Sequence, residues 1–104
     1  MKQIAEFSTP SETKILNELL SENKEKYSLY DIFKYLPFDI TYNGNRGYLS
    51  LSQLGIEYTS LDYNYTMKIV RVENTNLGSV SIFECFIKML RWYNENKEVI
   101  KINV

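Results

Sequence analysis

The longest stretch of helical periodicity in this chain covers residues 81–97. At about 100° per residue, its apolar side chains share one arc that covers more than half of the helix circumference. The arc contains Ile82, Phe83, Cys85, Phe86, Ile87, Met89, Leu90, Trp92 and Tyr93. One neighbour cannot cover so wide an arc. We therefore expect the helix to pack on a sheet with one side and on the N-terminal helices, a second subunit or a target protein with the other.

Two shorter helices are predicted earlier in the chain. Thr9, Pro10 and Glu12 have the spacing of a capping box with proline at the first helical position, and the apolar stripe behind them predicts a helix to about residue 23, with Glu12 facing water. Ser28 and Asp31 indicate a second helix start. Its apolar stripe is Leu29, Ile32, Phe33 and Leu36, and Pro37 ends it. Residues 4–7 indicate a weak edge strand.

After this helix pair, the apolar period changes from helical to two, which is typical of strands. Residues 38–42, in which Phe38, Ile40 and Tyr42 alternate with polar residues, form a predicted hairpin with residues 48–58 around the turn sequence NGNRG. Gly55 indicates a bulge or a break of the return strand into two. A turn at 59–64 leads to a strand at 65–73, and residues 100–104 predict a short final strand.

These elements predict one domain, residues 1–104, of the α+β class. It combines an N-terminal two-helix hairpin, a three- to four-stranded antiparallel sheet, a long C-terminal helix and a short final strand. Hydrophobic residues make up 44% of the chain and charged residues 24%, as in soluble globular proteins. No apolar run approaches the length of about 20 residues that a spanning helix needs, and the first residues lack the apolar centre of a signal peptide. We expect a cytoplasmic protein without membrane contact.

The lack of histidine argues against many enzyme classes, because histidine is the usual general base and the commonest metal ligand. The single cysteine, Cys85, lies on the apolar arc, where we expect a small buried side chain rather than a reactive thiol. The carboxylates near the strands, Asp39, Glu57, Asp62 and Glu73, have no spacing typical of a catalytic pair or a metal site. We therefore expect a protein that is not an enzyme and has no metal or cofactor.

Tyrosines are the strongest candidates for contact with another protein, because they combine a large rigid ring with a polar tip. Five of them lie in the predicted sheet and its turns: Tyr42, Tyr48, Tyr58, Tyr63 and Tyr65. Arg91 and Trp92 extend the candidate surface to the far edge of the last helix. A structural role is the alternative, since tyrosine also has a high strand propensity.

Nucleic-acid binding is a second, less favoured hypothesis. Two short helices followed by a hairpin with Arg46 at its tip resemble a winged-helix protein, and Lys34 would be the other basic contact. The sequence leaves no room for a separate recognition helix before the strand. The 12 basic and 13 acidic residues give a net charge of −1, whereas phosphate binding needs several clustered cations.

The most economical interpretation is a small binding module that acts as a stoichiometric inhibitor or adaptor of a host macromolecule. In size and composition the chain is similar to small inhibitors carried by phages and mobile elements, including anti-CRISPR and other anti-defence proteins. A homodimer through the wide arc of the last helix is a further expectation that the sequence leaves open.

Overall fold

The computed structural model describes residues 6–52, 54–61, 66–74 and 81–103. Three helices and five strands follow one another along these residues. They are α1 (Pro10–Leu20), α2 (Leu29–Tyr35), β1 (Asp39–Tyr42), β2 (Asn45–Ser52), β3 (Gly55–Leu61), β4 (Thr66–Glu73), α3 (Ile82–Asn96) and β5 (Lys101–Ile102). The α+β architecture expected from the sequence is confirmed, with two N-terminal helices, an antiparallel sheet, a long helix and a short last strand. Predictions that concern residues 4 and 5, residues 62–65 and Val104 fall outside the described ranges.

The sheet is antiparallel throughout, in the order β4-β3-β2-β1-β5. One of its faces packs against α3, and α3 also contacts α1. The buried side chains of the sheet, among them Ile40, Leu49 and Ile56, form one cluster with those of α3. Alternate strand residues point to the opposite face, here called the open face. Its members include Asp39, Arg46, Tyr48, Ser50, Glu57, Thr59, Arg71 and Glu73.

The wide apolar arc of α3 is covered by the chain itself. Seven of its side chains are buried: Ile82, Phe83, Cys85, Phe86, Ile87, Met89 and Leu90. The sheet and α1 are the two neighbours that cover the arc. Of the N-terminal helices, a second subunit and a target protein, the N-terminal helices are therefore the observed cover of its second side. A second subunit is not needed to cover this helix.

Helix caps explain where α1 and α2 begin. The backbone N–H of Thr9 donates to Oε1 of Glu12 at 2.8 Å, which completes the expected capping box. α1 ends earlier than expected, because Ser21 adopts the left-handed conformation with φ 54°. The carboxylate of Asp31 accepts a 2.8 Å hydrogen bond from the backbone N–H of Ser28 at the start of α2.

Glu12 does not face water, contrary to expectation. Only 8% of the residue is exposed, and its second carboxylate oxygen accepts a hydrogen bond from the hydroxyl of Ser81. Ser81 precedes α3, so this bond joins the N-terminal ends of α1 and α3. Ser81 and Glu84 have the sequence spacing of a capping box, but the Ser81 hydroxyl makes no cap hydrogen bond to α3 and is directed to α1 instead.

The predicted return strand at 48–58 is broken into two strands, β2 and β3, which is one of the two alternatives that Gly55 indicated. The chain reverses between Ser52 and Gly55, which lie opposite each other at the end of the β2–β3 hairpin. Gly55 has φ +143°, and a Cβ atom there would lie 1.9 Å from the carbonyl oxygen of Val72. Only glycine fits this close approach of β3 to β4.

Candidate protein-binding surface

Tyr42 and Trp92 lie together between the sheet and the last turns of α3. Their ring centroids are 5.1 Å apart at an interplanar angle of 74°, an edge-to-face arrangement. Both residues are half-buried. Tyr42 and Trp92, which the sequence assigns to a partner, are therefore packed against each other within the chain. A partner would contact only the exposed part of each ring. Arg91, next to Trp92, is exposed.

Tyr58 does not belong to the surface tyrosines, contrary to expectation. It is 0% exposed, its ring centroid lies 6.0 Å from that of Trp92, and its hydroxyl donates to the carbonyl oxygen of Pro37 at 2.6 Å. Burial raises the pKa of its phenol, because the charged phenolate would be poorly solvated there. The strand register explains this position, since Tyr58 lies opposite the buried Leu49 on the α3 side of the sheet.

Tyr48 has the opposite orientation and lies half-buried on the open face. Its ring centroid is 5.8 Å from that of Phe38, and the guanidinium carbon of Arg46 lies 5.6 Å from the Tyr48 ring centroid. Of the five candidate tyrosines, Tyr63 and Tyr65 lie outside the described residues. The three described candidates thus divide between the two faces of the sheet, with Tyr48 on the open face and Tyr42 and Tyr58 on the α3 side.

Three exposed aromatic residues lie in α2 and directly before β1. Tyr30 is 78% exposed, Phe33 46% and Phe38 57%. Tyr30 and Phe33 are one helical turn apart. Phe38 lies five positions after Phe33, so the distance between their Cα atoms is at most about 17 Å even in an extended chain. We call Tyr30, Phe33, Phe38 and Tyr48 the aromatic ridge.

Phe33 and Phe38 were expected to face inward, and this expectation is wrong. α2 has only seven residues and buries a narrow stripe that includes Ile32, so Phe33 falls outside it. Phe38 precedes the first paired residue of β1 and does not follow the alternation of the strand. The spacing of Tyr30 and Phe33 by one turn shows that they share one side of α2, but it does not show that this side is exposed.

The two basic candidates for nucleic-acid contact differ in their surroundings. The guanidinium of Arg46 donates to both carboxylate oxygens of Asp39, at 2.6 to 3.3 Å. Hydrogen bonding from Arg46 lowers the pKa of the Asp39 carboxyl, so the pair stays ionised at neutral pH and the positive charge is compensated. Lys34 is exposed, with its ammonium 5.3 Å from the Tyr35 ring centroid. α2 ends at Tyr35 and β1 begins at Asp39, which leaves no room for a recognition helix.

Concave surfaces lie along α1 and on the open face of the sheet. The open face has a shallow depression of about 250 Å³ lined by Tyr48, Leu49, Ser50, Glu57 and Thr59. Glu57 lies 3.8 Å from Arg71, so its carboxylate is charge-paired. Within the described ranges, no three side chains of the metal-binding types lie close enough together to hold an ion.

Cys85 is buried, as its place on the apolar arc predicts. Burial raises the pKa of its thiol, which disfavours the reactive thiolate. Among the described helices, none has the length and apolar character needed to cross a membrane.

The fold and this surface define an α+β protein that exposes an aromatic ridge beside an open sheet face. Comparison of the chain with protein-family models, with curated protein sequences and with solved structures finds no match of any of the three kinds.

Proposed function

We propose that this chain is a non-enzymatic protein-binding module that acts in the cytoplasm as a stoichiometric inhibitor or adaptor. The observation that carries the proposal is the aromatic ridge, in which Tyr30, Phe33 and Phe38 are each at least 46% exposed. Exposing large aromatic rings to water is unfavourable, and clusters of them on a soluble protein are typical of interaction sites. The occupant is a protein surface rich in apolar side chains.

Rigid aromatic residues suit such an interface because they bury much area at low cost in side-chain entropy. A contact centred on the ridge would bury on the order of 800 Å² per partner. An inhibitory role of the phage or mobile-element anti-defence kind, including the anti-CRISPR kind, is supported by the size and composition of the chain. It would require stoichiometric binding and no turnover.

The test compares two double variants of the full chain. The ridge variant combines Tyr30→Ser with Phe33→Ser. The control combines Leu54→Ser with Val99→Ser, two apolar residues outside the ridge that are 64% and 62% exposed. A partner captured by the wild type is purified and titrated against all three proteins by calorimetry. We expect one-to-one binding that the ridge variant weakens by about 30-fold or more and the control leaves unchanged. Equal affinity for the ridge variant, or catalytic turnover of the captured partner, would overturn the proposal.

Nucleic-acid binding is distinguished in a separate measurement. Fluorescence anisotropy with random duplex and single-stranded oligonucleotides at low salt should give no saturable binding, because Arg46 is already paired with Asp39. Binding that weakens on Lys34→Ala or Arg46→Ala and falls steeply with salt would instead support the nucleic-acid hypothesis.

A further inference from the structure

β4 lies at one edge of the sheet, and within the described residues no strand pairs with its outer side. Its ladder with β3 is regular from Val70 to Glu73, and the register skips Ile69. A bulge of this kind interrupts the edge and confines further regular pairing to the residues that follow it. An unpaired edge of this length is a template for strand addition.

The hydrogen-bond pattern shows which backbone groups point outward from β4. The N–H of Asn74 donates to the carbonyl oxygen of Leu54 at 2.8 Å. Bonded pairs alternate along an antiparallel ladder, so Val72 and Val70 also direct their backbone groups toward β3. Arg71 lies between Val70 and Val72, and Glu73 lies between Val72 and Asn74. The N–H and C=O groups of Arg71 and Glu73 therefore point to the free edge.

The side chains of these two residues are self-complementary. Both lie on the open face, where Arg71 approaches Glu73 to 3.7 Å within the chain. If two β4 strands pair antiparallel through their outward backbone groups, three registers are available near the strand end. They are centred on a two-fold axis at Arg71, at Val72 or at Glu73. Centring on Arg71 or on Glu73 brings like charges opposite each other. Centring on Val72 places Arg71 of each copy opposite Glu73 of the other, which gives two favourable cross-strand pairs.

We propose that β4 pairs antiparallel with β4 of a second copy of this chain, about a two-fold axis at Val72. Arg71 and Glu73 exchange their outward backbone hydrogen bonds across the axis, and the two sheets become continuous. Val72, which is half-buried at the edge, gains cover from Val72 of the other copy on the α3 side. The aromatic ridge lies around α2, β1 and β2, away from β4 in the strand order, so it remains accessible in the dimer. The inference does not depend on the function proposed above.

Disulfide trapping tests the register. In this arrangement the two Val72 residues form a non-hydrogen-bonded pair with Cα atoms about 4.5 Å apart, within the range that a disulfide spans. Val72→Cys should therefore cross-link to a covalent dimer under mild oxidation. Val70→Cys is the matched control, because two such residues would be offset by four positions, or about 13 Å, and should not cross-link. Cys85 is present in both variants. Equal cross-linking of the two variants, or none of Val72→Cys, would overturn the proposed register.

A charge exchange tests the association itself. Sedimentation equilibrium of the wild type up to about 0.5 mM should show a monomer–dimer equilibrium. Glu73→Arg should weaken the dimer at least about fivefold, because it places arginines opposite each other. The double variant Arg71→Glu with Glu73→Arg should restore much of the association, and thermal melts verify that each variant folds. A wild type that stays monomeric over this range, or a Glu73→Arg variant that associates equally well, would overturn the dimer.

Discussion

The indole ring of Trp92 meets the phenol ring of Tyr42 edge to face, with centroids 5.1 Å apart. Tyr42 ends the first strand and Trp92 lies in the second half of α3, so this contact holds the end of the helix against the sheet. Tyr58 lies near the same indole, at 6.0 Å between centroids. Residues that the sequence favours for partner contact thus stabilise the fold around the end of α3.

Trp92→Ala should lower the free energy of unfolding by about 2 kcal/mol. This is less than for a fully buried tryptophan, because the residue is half-buried. Urea denaturation followed by circular dichroism measures the effect. Arg91→Ala, at the exposed neighbouring position, should stay within about 0.5 kcal/mol of the wild type. Equal losses for the two variants would show that the aromatic contacts of Trp92 contribute no stability.

Gly55→Ala should be far more destabilising than Gly44→Ala. At Gly55 the added Cβ would lie 1.9 Å from the carbonyl oxygen of Val72, so β3 and β4 must separate, at a cost of more than about 3 kcal/mol. At Gly44, φ is +78° but no atom lies within 4 Å, so only the conformational cost of about 1 to 2 kcal/mol applies. Chemical denaturation of both variants gives the comparison. A similar cost at the two glycines would contradict the close approach of the strands.

Asp31 should make the protein sensitive to acid. Desolvation, the largest single effect, raises the pKa of its carboxyl, but hydrogen bonds from Lys24 and Ser28 together bring the pKa below the ordinary value of 3.8. The stabilisation is therefore present above about pH 4 and is lost as the pH falls through the folded-state pKa.

Asp31→Asn should cost about 1 to 3 kcal/mol at pH 7 and progressively less as the pH falls. Denaturation curves from pH 7 to pH 2 measure this difference. Lys24→Met should reproduce part of the loss, since it removes the 2.8 Å contact to Oδ1 of Asp31. A difference between wild type and Asp31→Asn that does not change with pH would contradict this role.

Tyr27 should make the protein sensitive to alkali. The residue is fully buried, its hydroxyl donates to Oδ1 of Asn17 at 2.6 Å, and burial raises the pKa of the phenol to about 12. Because this pKa exceeds the ordinary value of 10.0, stability is complete below pH 10 and falls as the pH rises toward 12.

Tyr27→Phe should cost about 1 kcal/mol at pH 7, through loss of one hydrogen bond, and should make the alkaline decline less steep. Ultraviolet absorbance of the phenolate during a pH titration, together with melting curves, measures both effects. An alkaline decline that is as steep in the variant as in the wild type would assign the sensitivity to another group.

The starts of α1 and α2 could be predicted well because their signals are local. Thr9 with Glu12 and Ser28 with Asp31 lie three residues apart, and their hydrogen bonds form within single turns of helix. The strand periodicity after Pro37 is also local, and it predicted β1. The division of residues 48–58 into β2 and β3 was left open, because the meaning of Gly55 depends on how closely β4 approaches it.

The candidate surface was predicted less well, because it depends on long-range packing. Tyr42, Tyr48 and Tyr58 all lie in strands, but Tyr58 is buried under α3 whereas Tyr48 lies on the open face. Their orientation follows from strand register. Phe33 was misassigned because the width of the buried stripe of α2 is set by its neighbours in the fold rather than by its own sequence.

By itself, the sequence determined the order and type of the elements, the caps of α1 and α2 and the wide apolar arc of α3, because these follow from interactions between residues close in the chain. The tertiary structure alone decided which neighbours cover that arc, that Glu12 joins α1 to Ser81, and that Tyr30, Phe33 and Phe38 remain exposed. The physical reason is that burial depends on which distant element packs against a given face. Local periodicity shows that a face is apolar, but only the packed chain shows whether it is covered.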